Sequence, residues 1–331
     1  WPVYVFYRYY VYGELTTAEK YGVLLISFAL AFALYHFVEQ RYRRPAPAAR
    51  VTSQAAFGLG CASLAVLLIL PAATAWANAG WAGRAKIYTS QGGELWCGKK
   101  DFCRLQRGEK GLVVLVGDSH LGHHTKVLVN KFAGYEVISF NVSACFFGRH
   151  YQFQDKNLER KRTCGLANEA LKRFLAEDNS KISYIVHAQR WHAYRKKIHK
   201  LPEGILLKRE DFAMHELMLE DVLSLYEGVS GRKIILGAAP DTAVGCLERA
   251  GFFSMNCRLA MENPTLRQAK LFKEAAQYYS GRGTIFIYPE DEICAGGVCK
   301  AVSGDHKLYR DNNHLTREGS NLVLRKLQVE G

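Results

Sequence analysis

"GLVVLVGDSHLGHH", Gly111–His124, is the stretch on which the reading of this chain turns. The unbroken apolar run Leu112–Val116 predicts a strand buried on both faces, the kind found inside a parallel sheet. Gly117-Asp118-Ser119 then bends the chain sharply, since glycine accepts backbone conformations that other residues resist. A helix is predicted next, near Gly122–Phe132, and its free amide N–H groups can face developing negative charge. Ser119 is thus either a nucleophile lifted out on a strand-to-helix corner or a helix cap. A serine hydroxyl is a weak nucleophile until a base takes its proton. The first reading therefore needs a histidine and a carboxylate elsewhere in the chain.

Such a pair occurs in "YRDNNHLTREG", Tyr309–Gly319. Asp311 and His314 are three apart and can lie side by side on one turn of backbone. The carboxylate would then accept the proton of one imidazole nitrogen and leave the other free as a base. Thr316 is placed to cap a last helix over Thr316–Gln328, with His314 just outside it. Between the two segments, short apolar runs predict strands at Glu136–Phe140, Ser183–Val186, Lys233–Leu236 and Thr284–Tyr288. Helical patterns lie near Leu166–Glu177, Asp211–Tyr226 and Pro264–Tyr279. Strands alternating with helices predict a three-layer α/β/α domain on a parallel sheet of about five strands. Right-handed crossovers put the C-terminal strand ends on one rim, where Ser119 and Asp311 both fall. Asp118, adjacent to Ser119, is read as a structural residue that holds the corner. His120, His123 and His124 invite a metal reading, but no glutamate completes a zinc-protease pattern. They are read as polar residues along the helix at the mouth of the site, with no metal.

Composition divides the 331-residue chain. Tyr21–Val38 holds no Asp, Glu, Lys or Arg and would span about 27 Å as a helix. Gln54–Trp81 is a second uncharged stretch, and "EQRYRRPAPAAR" between them carries Arg41, Arg43, Arg44 and Arg50. Helix, basic loop, helix predicts two membrane spans with the arginine loop in the cytoplasm and everything from about residue 82 on the far side. The aromatic-rich start, without an initiator Met, is read as the continuation of a longer membrane protein. A net charge of +13 is spread widely rather than gathered in a basic run with aromatics, which argues against nucleic acid and for an anionic lipid or glycan neighbour. Of nine cysteines, Cys61 lies within the second apolar stretch. The others fall as near neighbours, Cys97 with Cys103, Cys145 with Cys164, Cys246 with Cys257 and Cys294 with Cys299. Sequential pairing closes four short loops and fits an oxidising compartment; none has the Cys-x2-Cys spacing of a zinc site.

Gly117-Asp118-Ser119-His120 and Asp311-x-x-His314-Leu315 resemble the first and last motif blocks of SGNH (GDSL-like) hydrolases. The histidine after the serine, Tyr309 near Asp311 and the paired cysteines are similar to the periplasmic SGNH domain fused to membrane acyltransferase-3 proteins. "LLISFALAFALYHFVEQRYRRP" resembles the last helix and arginine-rich tail of that membrane region. The organisation implied is 1–50 for the end of the membrane acyltransferase region, 51–81 for an added transmembrane helix, 82–108 for a periplasmic linker and 109–331 for the SGNH-like domain. The resemblance implies a bacterial inner-membrane O-acyltransferase, with acetyl most expected, modifying an envelope polysaccharide such as lipopolysaccharide O-antigen or peptidoglycan. Acetyl-CoA would supply the acyl group to the upstream membrane region of the full-length chain, and the SGNH-like domain would bind no cofactor. Ser119 would carry the acyl group, His314 act as base and Asp311 orient it. The Ser119 amide and the backbone of Ser143–Ala144 are the oxyanion candidates. The family's Gly-x-Asn-Asp block is lacking after the third predicted strand, where "VHAQRWHAY" stands instead. His120, Gln189, Arg190, Trp191 and Tyr194 are the substrate-binding candidates. A carbohydrate esterase or deacetylase using the same triad, or a weakly catalytic glycan-binding domain, remain alternatives.

Overall fold

Val113–Val116 are wholly buried, so the strand they form must run through the middle of the molecule. In the computed structural model this strand is Leu112–Gly117. The structure describes residues 2–11, 15–40, 54–77, 102–242, 264–281, 283–295, 298–304 and 306–329. The described residues divide into two compact units, 2–77 and 102–329.

The second unit is built on a six-stranded sheet. Its strands are β1 (Cys103–Gln106), β2 (Leu112–Gly117), β3 (Glu136–Asn141), β4 (Ile182–Ala188), β5 (Arg232–Leu236) and β6 (Thr284–Ile287), in the order β1-β3-β2-β4-β5-β6. Strands β2 to β6 are the five read from the sequence, and their pairings are parallel. The expected all-parallel sheet is corrected by β1, which joins the β3 edge antiparallel, with Cys103 opposite Ser139. β1 is short and only partly buried, so it carries no apolar run. Polar contacts hold it: Arg104 Nε donates to Glu136 at 2.6 Å, and the Gln106 side-chain amide donates to the Phe132 and Tyr135 carbonyls.

Helices connect the parallel strands as the periodicity predicts. Leu158–Asp178 precedes β4, Asp211–Leu225 precedes β5 and Pro264–Gln277 precedes β6. The first starts earlier than its apolar pattern, because Asn157 caps it by accepting from the Arg160 amide. Phe140, Phe146, Phe147, Trp191, Tyr226 and Phe272 lie in one continuous core cluster. A small antiparallel sheet of Tyr151–Phe153, Ile198–Lys200 and Ile205–Leu206 stands apart from the main one. Cys145–Cys164 and Cys294–Cys299 are bridged as sequential pairing predicts. Cys103 is also in a disulfide. Cys97, Cys246, Cys257, the arginines of the basic loop and residues 82–101 of the expected linker lie outside the described residues, while residues 103–106, also read as linker, form β1.

In the first unit, a helix over Pro2–Val11 is followed by Thr17–Ala33, which continues as a wider-wound turn through Glu39. Thr16 and Glu19 close a reciprocal capping box at its start. Thr17–Glu39 is long and apolar enough to cross a membrane, with a mean hydropathy of 1.9 and Leu25, Phe28, Phe32 and Phe37 exposed along it. Of the two expected spans, this helix meets the length and composition of one. Gln54–Ala77 is helical, with Pro71 inside it, and Ala65–Thr74 is its apolar stretch among the described residues. One candidate span therefore stands among the described residues.

Candidate active site

The corner after β2 is shaped by close backbone approach. A Cβ on Gly117 would lie 1.8 Å from the Ala188 carbonyl oxygen, so glycine alone lets β2 and β4 meet at their C-terminal ends. Asp118 caps the short helix Ser119–Gly122. Its Oδ1 accepts from the His120 amide at 2.7 Å. Its Oδ2 accepts from the Arg190 amide at 2.9 Å and from the Tyr194 hydroxyl. Burial holds the Asp118 carboxyl above the usual carboxylate range despite these donors. The aspartate is thus the knot that ties the corner, as its adjacency to the serine led us to expect. Ser119 is half-buried beside the buried Asp118, His120 and Leu121.

The second half of the site is a closed loop. Tyr309 and Leu315 form an antiparallel bridge, and the Arg310 amide donates to the His314 carbonyl at 2.8 Å. The buried Tyr309 hydroxyl donates to the Pro240 carbonyl at 2.7 Å, and the Thr242 amide donates to Asn312 O at 2.8 Å, so the loop is moored to the segment after β5. Thr316 caps the helix Arg317–Val323, leaving His314 just outside it. Within this frame His314 Nδ1–H donates to Asp311 Oδ2 at 2.8 Å, and the Ser119 hydroxyl donates to His314 Nε2 at 2.8 Å. Asp311 Oδ1 accepts from the Asn313 and His314 amides. Burial acts to raise the Asp311 pKa, but these amide bonds and the imidazole outweigh it, so the carboxyl lies below its ordinary range. It stays ionised at neutral pH and fixes the tautomer that leaves Nε2 as a proton acceptor.

His120, His123 and His124 are buried against this triad. The His120 and His123 rings lie 5.6 and 6.1 Å from that of His314. Burial pushes all three imidazoles far below their usual range, His124 to about 3. They are neutral spacers, and His124 Nδ1 meets the Ser320 hydroxyl at 2.6 Å. Among the described residues, no group of three or more His, Cys, Asp or Glu side chains is arranged to hold a metal.

The remaining candidates divide by exposure. Ser143 is exposed and Ala144 half-buried, in the loop after β3. Ala144 is the one non-glycine residue with positive φ, +55°, among the described residues. The next residue is Cys145, so the bridge to Cys164 anchors this strained turn. Arg190 is half-buried at the end of β4. Its Nε donates to His192 Nε2 at 3.1 Å and its Nη2 to Asp241 at 3.0 and 3.1 Å. Its Nη1 has no partner among the described residues. Trp191 and Tyr194, both substrate-binding candidates, are 1 and 2 % exposed. The Trp191 indole N–H donates to the Leu236 carbonyl at 2.8 Å and its ring packs on Phe272. Tyr194 is spent on Asp118 and Cys145 O. Gln189 is wholly buried and accepts from the Phe147 amide, and His120 is buried as well, so neither meets solvent where a substrate would sit. Two residues were not singled out from the sequence. Asp241 pairs with Arg190 after β5, at the rim where strand ends gather. Asn141 lies opposite Gly117 in the β2–β3 register, buried, with neither side-chain polar atom satisfied among the described residues.

A family model described as "SGNH domain (fused to AT3 domains)" matches residues 88–328. The chain belongs to that family. This SGNH domain is therefore of the serine esterase–acyltransferase type found in membrane acyltransferase-3 fusions. No curated protein matches the sequence. Among solved structures, the chain is similar to the periplasmic domain of a Salmonella ser. Paratyphi A lipopolysaccharide acetyltransferase, at 14% identity over 66% of this chain and 83% of that one, with a TM-score of 0.43. A carbohydrate acetylesterase family member from Sinorhizobium meliloti shares 15% identity over 66% and 95%, with a TM-score of 0.38. The C-terminal catalytic domain of Streptococcus pneumoniae peptidoglycan O-acetyltransferase A shares 11% over 66% and 94%, with a TM-score of 0.34. At such scores the likeness bears on neither substrate nor reaction.

Proposed function

We propose that the SGNH domain is a periplasmic O-acyltransferase that carries an acyl group, acetyl first among them, on Ser119 and passes it to a hydroxyl of a cell-envelope polysaccharide. The observation that carries this reading is the 2.8 Å contact between Ser119 Oγ and His314 Nε2, with Asp311 behind the ring. In the first step Ser119 Oγ attacks the acyl carbonyl carbon while its proton passes to Nε2. The tetrahedral oxyanion collapses, the donor's leaving oxygen takes that proton, and an acyl-serine remains. In the second step His314 removes a proton from the glycan hydroxyl, the new ester forms, and the proton returns to Ser119. The amides of Ser119 and Ala144 supply the oxyanion donors. Acetyl-CoA feeds the upstream membrane region, which hands the acyl group across the bilayer. The pairing of cysteines supports an oxidising compartment for this domain.

The test is to incubate the full chain with an activated acetyl ester, with and without envelope glycans, and to locate label by mass spectrometry. Label on Ser119, lost in Ser119→Ala, with turnover that rises when glycan is added, is the expected result. Turnover indifferent to glycan assigns the site to hydrolysis instead. Absence of label on Ser119 overturns the covalent mechanism.

A further inference from the structure

The connection between β4 and the helix Asp211–Leu225 is not a simple loop. It carries the hairpin Ile198–Lys200 and Ile205–Leu206, which therefore stands on the same C-terminal rim as Ser119 and His314. Ile198 is buried and anchors the base, and the Leu201 amide donates to His150 O at 2.8 Å. One edge of the hairpin pairs with Tyr151–Phe153, and its turn projects from that contact. A Cβ on Gly204, at the turn with φ +67°, would have no atom within 4 Å. Leu201, Ile205 and Leu206 are 39, 58 and 40 % exposed. In the second unit the large exposed apolar side chains among the described residues are these three and Phe102, Leu158, Leu166, Tyr278 and Ile285, so the tip is where they gather.

The flanks are basic. Residues 195–209 hold Arg195, Lys196, Lys197, Lys200, Lys208 and Arg209 against the single acid Glu203. Arg195 is committed to Asp211, Lys200 lies near Glu203, and Lys197 sits over the Phe153 ring. Lys196, Lys208 and Arg209 are exposed and have no partner among the described residues. An apolar point framed by unpaired cations is the pattern of an element that enters the interface of an anionic bilayer. An anionic glycan could answer the cations but not the apolar tip, whereas an anionic bilayer answers both. A bilayer is also at hand, since the domain belongs to a membrane fusion family and the chain carries Thr17–Glu39.

We propose that the hairpin of residues 198–206 docks on the anionic phospholipid surface, with Leu201, Ile205 and Leu206 inserted among headgroups and the lysines and arginines facing lipid phosphates. The inference does not depend on whether the acyl-serine is used for transfer or hydrolysis.

The test is hydrogen–deuterium exchange on the full chain in nanodiscs of phosphatidylcholine alone and of phosphatidylcholine with phosphatidylglycerol. Peptides over 198–207 should exchange several-fold more slowly in the anionic discs. About 1 M salt, which shortens the screening length to about 3 Å, should remove that protection. Lys196→Glu with Lys208→Glu and Arg209→Glu should remove it too, while peptides over Leu112–Gly117 and the labelling of Ser119 stay unchanged. Equal exchange in both discs overturns the proposal. So does protection that survives in neutral discs and high salt, which would mean that another protein surface covers the hairpin.

Discussion

Glu290 offers a quantitative test of what a buried, unpartnered carboxyl costs the second unit. It lies in the short helix Pro289–Ile293 after β6, is 6 % exposed, and neither carboxylate oxygen accepts a hydrogen bond from another described residue. Lys273 gives its ammonium to Asp291, at 2.6 and 2.7 Å, rather than to Glu290. Burial raises the Glu290 pKa from 4.5 to about 7. The folded protein then holds this proton over a window in which the unfolded chain has released it. Stability must fall as pH rises from about 4.5 to about 7, and must be level in this respect above that. Each step of one in pH across that window is about 1.4 kcal/mol, so the full loss is about 3 kcal/mol. That is a large share of the roughly 5–15 kcal/mol typical of a domain. Glu290→Gln keeps the shape and removes the titration. Urea unfolding at pH 5 and pH 8, followed by a probe in the second unit, should show a wild-type loss larger than that of the variant by about 2.5 kcal/mol. Glu274→Gln, at an exposed position, should leave the loss as it is. The same pH dependence in wild type and Glu290→Gln would refute the reasoning.

Three further outcomes follow from the site. Asp311→Asn should leave the loop folded but lower kcat for acyl-ester turnover by about 10²–10⁴-fold, because Nδ1 loses the acceptor that sets the tautomer; steady-state kinetics with little change in KM checks it. Replacing both Cys145 and Cys164 by serine should cost about 3 kcal/mol in a denaturant titration, from the 19-residue separation they close, and should lower kcat as the Ala144 turn loosens. Ala144→Gly should raise stability by about 1 kcal/mol, since φ +55° strains any side chain, whereas Ala144→Val should lower it; thermal melts of the two variants must move in opposite directions.

Which parts of this molecule can be read from its sequence follows from how local their physics is. Strands β2 to β6 are buried on both faces, and such strands must be written as apolar runs. Strand β1 is held by Arg104 to Glu136 and by Gln106 to two carbonyls, contacts that join residues some thirty positions apart and leave no local pattern. The triad was legible because each of its parts sits beside a local signal: Gly117 at the corner, Asp311 three before His314, Thr316 capping the helix that follows. The third side of the site was not. Trp191 and Tyr194 after β4 read as substrate-binding candidates, but the indole N–H of Trp191 bonds inside the core and the Tyr194 hydroxyl holds Asp118. The half-buried Arg190 is held by Asp241, fifty-one residues away after the next strand. A guanidinium steered by a distant carboxylate cannot be read off the segment that carries it. The inverse holds for the hairpin of residues 198–206, whose apolar tip and basic flanks are written plainly in sequence. They become meaningful only once the fold shows that Leu201, Ile205 and Leu206 stay exposed at its turn.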